Sequence, residues 1–178
     1  MIRSARYVPA LKAQAGFTLI EVMIAVLILS VGLLGLAGLQ AAALQTNQSA
    51  FTRSQATAFA YDLADRMRAN VPGVAAGNYN PANAAVTANC TTTTGCTAQE
   101  LAENDLAEWN ALLASYLPLG TGTVCIDSTP EDGTSTGAAA CDGTGTQFAI
   151  KIWWDDNKDG VITVSATDME RLVISFQL

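Results

Sequence analysis

An apolar segment that carries one carboxylate near its start is the feature that most constrains this chain. Between Phe17 and Leu39, Glu21 is the only charged residue, and a short leader with three basic residues precedes the segment and ends at Gly16. About 20 apolar residues cross a bilayer as a helix, so the segment predicts a membrane-spanning helix. A carboxylate costs about 2.5–3.5 kcal/mol there on insertion scales unless it finds a partner. Cleavage of the chain before Phe17 would create a suitable cation, the new amino terminus.

The six residues from Gly16 to Glu21, GFTLIE, resemble the processing signal of the type IV pilins and of the pseudopilins of type II secretion. The resemblance implies that a prepilin peptidase cleaves after Gly16 and that Phe17 becomes an N-methylated terminus. It also implies that Glu21 pairs with the Phe17 amine of a neighbouring subunit in a filament. Two opposite charges a few ångströms apart attract strongly in a low dielectric, and a slip of register would leave both unpaired.

Simpler interpretations of the N-terminus are a conventional secretory signal peptide, with an A-x-A cleavage site at 41–43, a plain signal anchor, or a buried core helix. None of them needs Glu21, so the pilin-like interpretation is favoured. It divides the chain into a cleaved leader (1–16), a transmembrane and filament-core helix (17–43) and a periplasmic or extracellular head (44–178). The expected location is the inner membrane before assembly, as a single-pass protein, and the pilus at the cell surface afterwards.

A closer resemblance extends beyond the signal. GLLGLAGLQ (32–40), LADRMRAN (63–70), the helix around Trp109 and the Trp153-Trp154 strand are similar to the PilV-type minor pilins. This implies a low-abundance subunit that helps start pilus assembly at or near the tip, in a system for adhesion and twitching motility. The implied partners are other minor and major pilins, the prepilin peptidase, the assembly platform and a tip adhesin. A minor pseudopilin of type II secretion is the alternative, and a conventionally secreted acidic module is the second.

The composition restricts the function of the mature chain. All 16 acidic residues follow the leader, which holds three of the nine basic ones, so six basic side chains remain and the mature side chains carry a net charge of −10. A nucleic-acid groove needs a basic patch, so nucleic acid is not expected as a partner. The chain lacks histidine, the commonest general acid–base group, and it contains neither a nucleophile elbow nor a phosphate-binding loop. Catalysis is therefore not expected.

The pattern beyond the apolar segment predicts an α+β fold: a long N-terminal helix, and a globular head with a second helix and a small antiparallel sheet. Helical spacing of apolar residues predicts one helix from Phe17 to Asn70, ended by 71–73, and a second from Ala98 to Leu117. Alternation predicts strands at 123–127, 147–154, 161–165 and 170–177, with the middle two forming a hairpin.

Four cysteines follow the apolar segment, so they would face an oxidising compartment. They allow three pairings, of which we favour the sequence-local one, Cys90–Cys96 and Cys125–Cys141. Such disulfides would staple loops and restrict the unfolded chain. A zinc site is the alternative, but the spacings lack a C-x-x-C pair.

Residues 155–160 (DDNKDG) resemble the first half of a calcium-binding EF-hand loop. Asp155, Asn157 and Asp159 occupy the first, third and fifth ligand positions, and Gly160 the sixth. The twelfth position, where a bidentate glutamate is needed, holds Ala166. We therefore expect no cofactor and interpret the segment as a tight turn built from residues that tolerate unusual backbone angles. Calcium binding is the alternative.

Overall fold

The structure, a computed structural model, describes residues 16–80, 84–164 and 170–178. Most of the predicted leader, residues 1–15, lies outside this range. The chain divides into two compact units, of which the first extends to Gln45 and the second runs from Thr46 to Leu178. Helix α1 (Leu19–Ala69) begins in the first unit and continues into the second. The second unit adds helices α2 (Val71–Ala75) and α3 (Ala98–Tyr116) and a three-stranded sheet. The predicted α+β architecture is confirmed.

The two parts of α1 differ in burial because their side chains differ. In the first unit, every described residue is exposed. In the second, small and apolar residues recur at spacings of three and four, which places them on one side of the helix, and they are buried. They are Ala56, Ala60, Leu63, Ala64 and Met67. This side of α1 packs into the core of the head with α3 and the sheet.

The boundary of α1 is set by Asn70. The predicted end of the long helix is displaced by one residue, to Ala69, but residues 71–73 are not a simple stop. They start α2, because the Asn70 side chain accepts a hydrogen bond from the Gly73 N–H at 3.2 Å and Pro72 lies in the first turn, where it loses no helical hydrogen bond. Between α2 and α3, residues 88–91 form a short 3-10 helix.

Helix α3 begins at a capping box. The Thr97 hydroxyl accepts a hydrogen bond from the Glu100 N–H, and the Glu100 carboxylate accepts one from the Thr97 N–H at 2.8 Å. The helix ends at Tyr116, one residue before the predicted end, next to Leu117-Pro118. Its buried Trp109 donates from Nε1 to the Phe59 carbonyl of α1 at 2.9 Å, which fixes α3 against the second half of α1.

The sheet has the order β1-β2-β3, with β1 at Thr121–Ile126, β2 at Phe148–Trp153 and β3 at Arg171–Phe176. Both pairings are antiparallel, and Val124, Ile150 and Ile174 lie in register across the three strands. The predicted hairpin between 147–154 and 161–165 is wrong. Strand β2 pairs with β1 and β3 instead, and residues 161–164, the described part of the second segment, belong to none of the three strands.

The physical reason for that error is a buried carboxylate. Glu170 is fully buried and accepts hydrogen bonds from the backbone N–H groups of Asp156, Asn157 and Thr163. Backbone N–H groups that donate to a side chain are not free to donate to a neighbouring strand. Residues 161–164 therefore belong to a loop that Glu170 holds in place, although the sequence alternates there as in a strand.

Candidate assembly surface

The first part of α1, up to Gln45, presents a continuous run of exposed apolar side chains. From Phe17 to Leu44 its large apolar side chains are each more than half exposed, with 83% for Phe17 and 74% for Leu34. Surfaces of this size mark contacts with other proteins or with a membrane. Helix α1 is the one helix among the described residues that is long and apolar enough to cross a membrane. Its 27 residues from Leu19 to Gln45 span about 40 Å, at about 1.5 Å per residue.

Glu21 lies in the first turn of α1, which is capped by Thr18. The Glu21 N–H donates to the Thr18 carbonyl at 3.1 Å and lies 3.4 Å from the Thr18 hydroxyl oxygen. A carboxylate in the first turn is compatible with the positive end of the helix dipole. The side chain is exposed, and within 16–80, 84–164 and 170–178 no cation lies within ion-pair distance of it. This geometry leaves the carboxylate open to a second chain.

The predicted cleavage point also lies in the open. Gly16 and Phe17 precede the helix, and both are exposed. Among the described residues beyond its chain neighbours, no atom lies within 4 Å of the position that a Cβ on Gly16 would occupy. Processing after Gly16 and N-methylation of Phe17 remain predictions from the sequence. The three glycines at 32, 35 and 38 are equally unobstructed, so no side chain or distant backbone in 16–80, 84–164 or 170–178 requires them to lack a Cβ.

The four cysteines form two disulfides, Cys90–Cys96 and Cys125–Cys141, with Cα atoms 4.9 and 6.1 Å apart. These are the two predicted pairs, which join cysteines close together in the sequence. The second joins the end of β1 to the loop that leads to β2, and it encloses a loop of 15 residues. All four cysteines take part in these two bonds.

The acidic loop at 155–160 is a tight turn closed by its own side chains. The buried Asp155 accepts hydrogen bonds from the N–H groups of Asp159 (3.2 Å) and Gly160 (2.9 Å), and Asn157 accepts a second bond from the Asp159 N–H. Lys158 and Gly160 have positive φ angles of 61° and 89°. The three candidate calcium ligands therefore lie close together, but their oxygens already bind backbone donors. Ala166 lies outside the described residues, and calcium binding stays the untested alternative to the turn.

Sequence reasoning missed the buried polar residues that organise the head. Tyr79 is fully buried; its hydroxyl donates to Asp105 at 2.8 Å and accepts from the Asn70 side chain at 3.2 Å. Burial raises the pKa of Tyr79, and burial also raises the pKa of Asp105, although Arg66 lies 3.5 Å from its carboxylate. These contacts join the end of α1 to α3. No motif in the sequence marks them, since the participants are far apart along the chain.

Sequence reasoning also missed Lys151. It lies in the central strand β2 and is fully buried, with Asp127 and Asp132 as its charged neighbours. The available signal was a lone lysine inside the apolar strand sequence FAIKIW. A buried ammonium needs a charged partner, so this position predicts a carboxylate nearby, but the sequence does not say which one.

The exposed apolar helix with its lone carboxylate and the α+β head define the pilin-like class of proteins. Comparison with family models supports this class in two adjoining stretches. Residues 11–37 match the prokaryotic N-terminal methylation motif, and residues 38–107 match the Tt1218-like family, described as type IV pilin Tt1218. The chain belongs to the type IV pilin-like proteins and is a pilin or a pseudopilin.

The two family matches cover α1, α2 and the first half of α3 and end before the sheet. No curated protein and no solved structure gives a match to the chain. Lys151 and the acidic loop therefore lie in a part of the chain that no comparison describes.

Proposed function

We propose that this protein is a minor pilin of a type IV pilus, which helps to start pilus assembly and lies at or near the tip, without catalysis. The observation that carries the proposal is the lone carboxylate of Glu21 on an exposed apolar helix. It lies five residues into the chain that would remain after cleavage at Gly16. Such a group is costly in lipid and favourable only where a cation meets it.

Cleavage would supply that cation at Phe17. In a stack of helices, the Phe17 amine of one subunit and Glu21 of the next would form a pair in a medium of low dielectric, where their attraction is strong. Leaving one member of a buried pair without its partner costs about 3–5 kcal/mol. The pair would therefore favour one axial stagger of neighbouring helices, and the apolar surface around it would supply the packing.

Before assembly, the same helix would hold the subunit in the inner membrane with the head in the periplasm. The length of its apolar part, about 40 Å for Leu19–Gln45, exceeds the hydrocarbon thickness of a typical bilayer, about 30 Å. The disulfides of the head suit an oxidising compartment. The proposed partners are the prepilin peptidase, the assembly platform, other minor and major pilins, and an adhesin at the tip.

The assignment as a minor pilin rests on the resemblance of residues 32–40 and 63–70 to the PilV-type proteins. A minor pseudopilin of a type II secretion system has the same processing signal. Deleting the gene distinguishes the two. Loss of surface pili and twitching with normal type II secretion supports the pilus, whereas loss of secretion with normal piliation refutes it.

Glu21→Val tests the pairing itself. We expect the variant to be inserted and processed but to join or initiate filaments at least about 100-fold less well, because about 3 kcal/mol corresponds to that factor. Glu131→Val is the matched control, since it removes an exposed carboxylate from the head. Normal piliation and normal incorporation of Glu21→Val would refute the pairing.

Processing is tested separately by sequencing the N-terminus of the protein from its host. We expect N-methyl-Phe17 in the wild type, and an uncleaved chain in Gly16→Leu because a bulky residue would crowd the peptidase. A wild-type chain that keeps its first sixteen residues, or one that starts near Leu44, would contradict the proposal.

A further inference from the structure

Lys151 and Asp127 form a fully buried pair between two strands. Lys151 lies in β2, and Asp127 directly follows β1; both side chains have no exposed area, and Lys151 Nζ lies 2.5 Å from Asp127 Oδ2. This distance is that of an ion pair, but the approach lacks the angles of a hydrogen bond, because Oδ2 accepts none within the described part of the chain. The amine therefore faces the carboxyl group without donating to it in the usual direction.

The other close neighbours of Nζ are also hydrogen-bond acceptors. The Ala139 carbonyl lies 2.7 Å away, the Asp132 carboxylate 2.8 Å and the Asp132 carbonyl 3.2 Å, so they hold the nitrogen in place beside Asp127. In a low dielectric, the transfer of a proton within a buried pair converts two costly charges into two neutral groups. A proton that moves from Nζ to Asp127 would leave a nitrogen lone pair beside a neutral carboxylic acid.

We propose that Lys151 and Asp127 condense into an intramolecular isopeptide bond, so that the head is modified by its own side chains. The neutral Nζ attacks Cγ of the protonated Asp127 and forms the nitrogen–carbon bond, while the carbonyl electron pair moves to Oδ1. The surplus proton on nitrogen passes to the Asp132 carboxylate and then to the hydroxyl group on Cγ, which leaves as water. The C=O bond forms again, the product is an amide, and no oxidant or other reactant is consumed.

The surroundings supply the groups that this step needs. The Thr129 N–H lies 3.0 Å from Asp127 Oδ1, the oxygen that becomes negative during the attack, and a fixed backbone donor stabilises such an oxyanion. The Asp132 carboxylate touches the nucleophile and is partly exposed, so it can accept and return the proton. Its hydrogen bond with Lys151 holds the pKa of Asp132 below the usual range, so the group is an ionised carboxylate that returns a proton readily once it has received one.

Proximity makes the reaction feasible without an enzyme. Two groups held in contact by a rigid sheet react as if at effective concentrations of about 10⁵ M or more. Strands β1 and β2 are paired along their whole length, and the Cys125–Cys141 disulfide holds the same loop at its other side. The amide would also remove two buried charges from the head, which a salt bridge between the same residues does not do.

Mass spectrometry of the mature full-length protein tests the proposal. The chain has no lysine or arginine between Arg68 and Lys151, and Lys158 follows. Trypsin cannot cleave at a lysine whose side chain is an amide. After reduction and denaturation, we expect a tryptic peptide 69–158 that has lost one water, about 18 Da. Separate peptides 69–151 and 152–158 at their full masses would overturn the proposal.

Three variants locate the bond. Lys151→Arg should keep its full mass, and a loss of water from it would overturn the assignment of the nucleophile. Asp127→Asn should lose ammonia and reach the same product mass as the wild type, whereas loss of water would place the bond elsewhere. Asp132→Asn should form the bond at least about 100-fold more slowly, as general acid–base groups contribute at least that factor. A wild-type rate in Asp132→Asn would refute its role as proton carrier.

Discussion

Gly122 is the position where one added methyl group should damage the head most clearly. It lies in β1, opposite Ile152 of β2, and α3 crosses directly over it. A Cβ at this position would lie 2.7 Å from Leu113 Cδ1 and 2.9 Å from Trp109 Cζ3, and closer still to Trp109 Cη2. Both α3 side chains are fully buried, and the hydrogen bond from Trp109 to the Phe59 carbonyl prevents the ring from moving aside.

The size of the effect follows from two opposing contributions. Overpacking a tight core costs about 1–3 kcal/mol. Replacing glycine by alanine reduces the freedom of the unfolded chain and returns about 0.4–1 kcal/mol. With each contribution near the middle of its range, we expect Gly122→Ala to lower the free energy of unfolding by about 1–2 kcal/mol. For a chain of this length, that corresponds to a decrease in Tm of about 2–8 °C.

The assay is thermal unfolding of the mature protein in detergent, followed by near-UV circular dichroism and tryptophan fluorescence. Gly137→Ala is the matched control, because the nearest atom to its added Cβ is Ser135 Oγ at 4.0 Å. We expect the control to match or slightly exceed the wild type. If the Tm of Gly122→Ala equals that of Gly137→Ala, the close approach of α3 to β1 is wrong.

Two further predictions concern the loops of the head. Hydrogen bonds from the Ser128 hydroxyl and the Thr144 N–H lower the pKa of Asp142 in the folded protein. The ionised carboxylate therefore stabilises the fold above its ordinary pKa of 3.8. This contribution is lost as the pH falls through the lower pKa of the folded state. In acid, the Tm should therefore fall less steeply with decreasing pH in Asp142→Asn than in the wild type. An identical fall in both proteins would contradict this assignment. For the turn at 155–160, we expect millimolar calcium to leave Tm unchanged relative to a chelator, since backbone N–H groups already occupy its oxygens. A rise in Tm with calcium would show that the loop is a metal site.

The sequence predicts α1 well because its signal is local. Helical periodicity and the absence of proline in the apolar segment extend over many turns, and the structure places the helix within two residues of the predicted start and one of the predicted end. The second helix is predicted equally closely, because the helical spacing of its apolar residues and the following Pro118 are local features of the sequence. The processing segment is also a local motif, and it matches a family model as such.

The sheet could be predicted only in part. Alternation finds the residues of β2 and β3, but pairing depends on contacts between distant segments, and 161–165 alternate as clearly as a strand does. The fully buried Glu170 decides the outcome, because it draws the N–H groups of residues 156, 157 and 163 to itself. A single sequence does not show that this glutamate, rather than one of the other acidic residues, will be buried.

By itself, the sequence determined the class of this protein: a processing signal, an apolar helix with one carboxylate, and an oxidised acidic head. Each of these depends on the order of neighbouring residues and on the cost of placing charge in an apolar medium. Only the tertiary structure decided that Lys151 meets Asp127 and that Glu170 closes the acidic loop. The contacts of Lys151 with Asp127 and of Glu170 with the acidic loop join residues 13 to 24 positions apart, and they form because burial removes these side chains from water and makes an unpartnered charge costly.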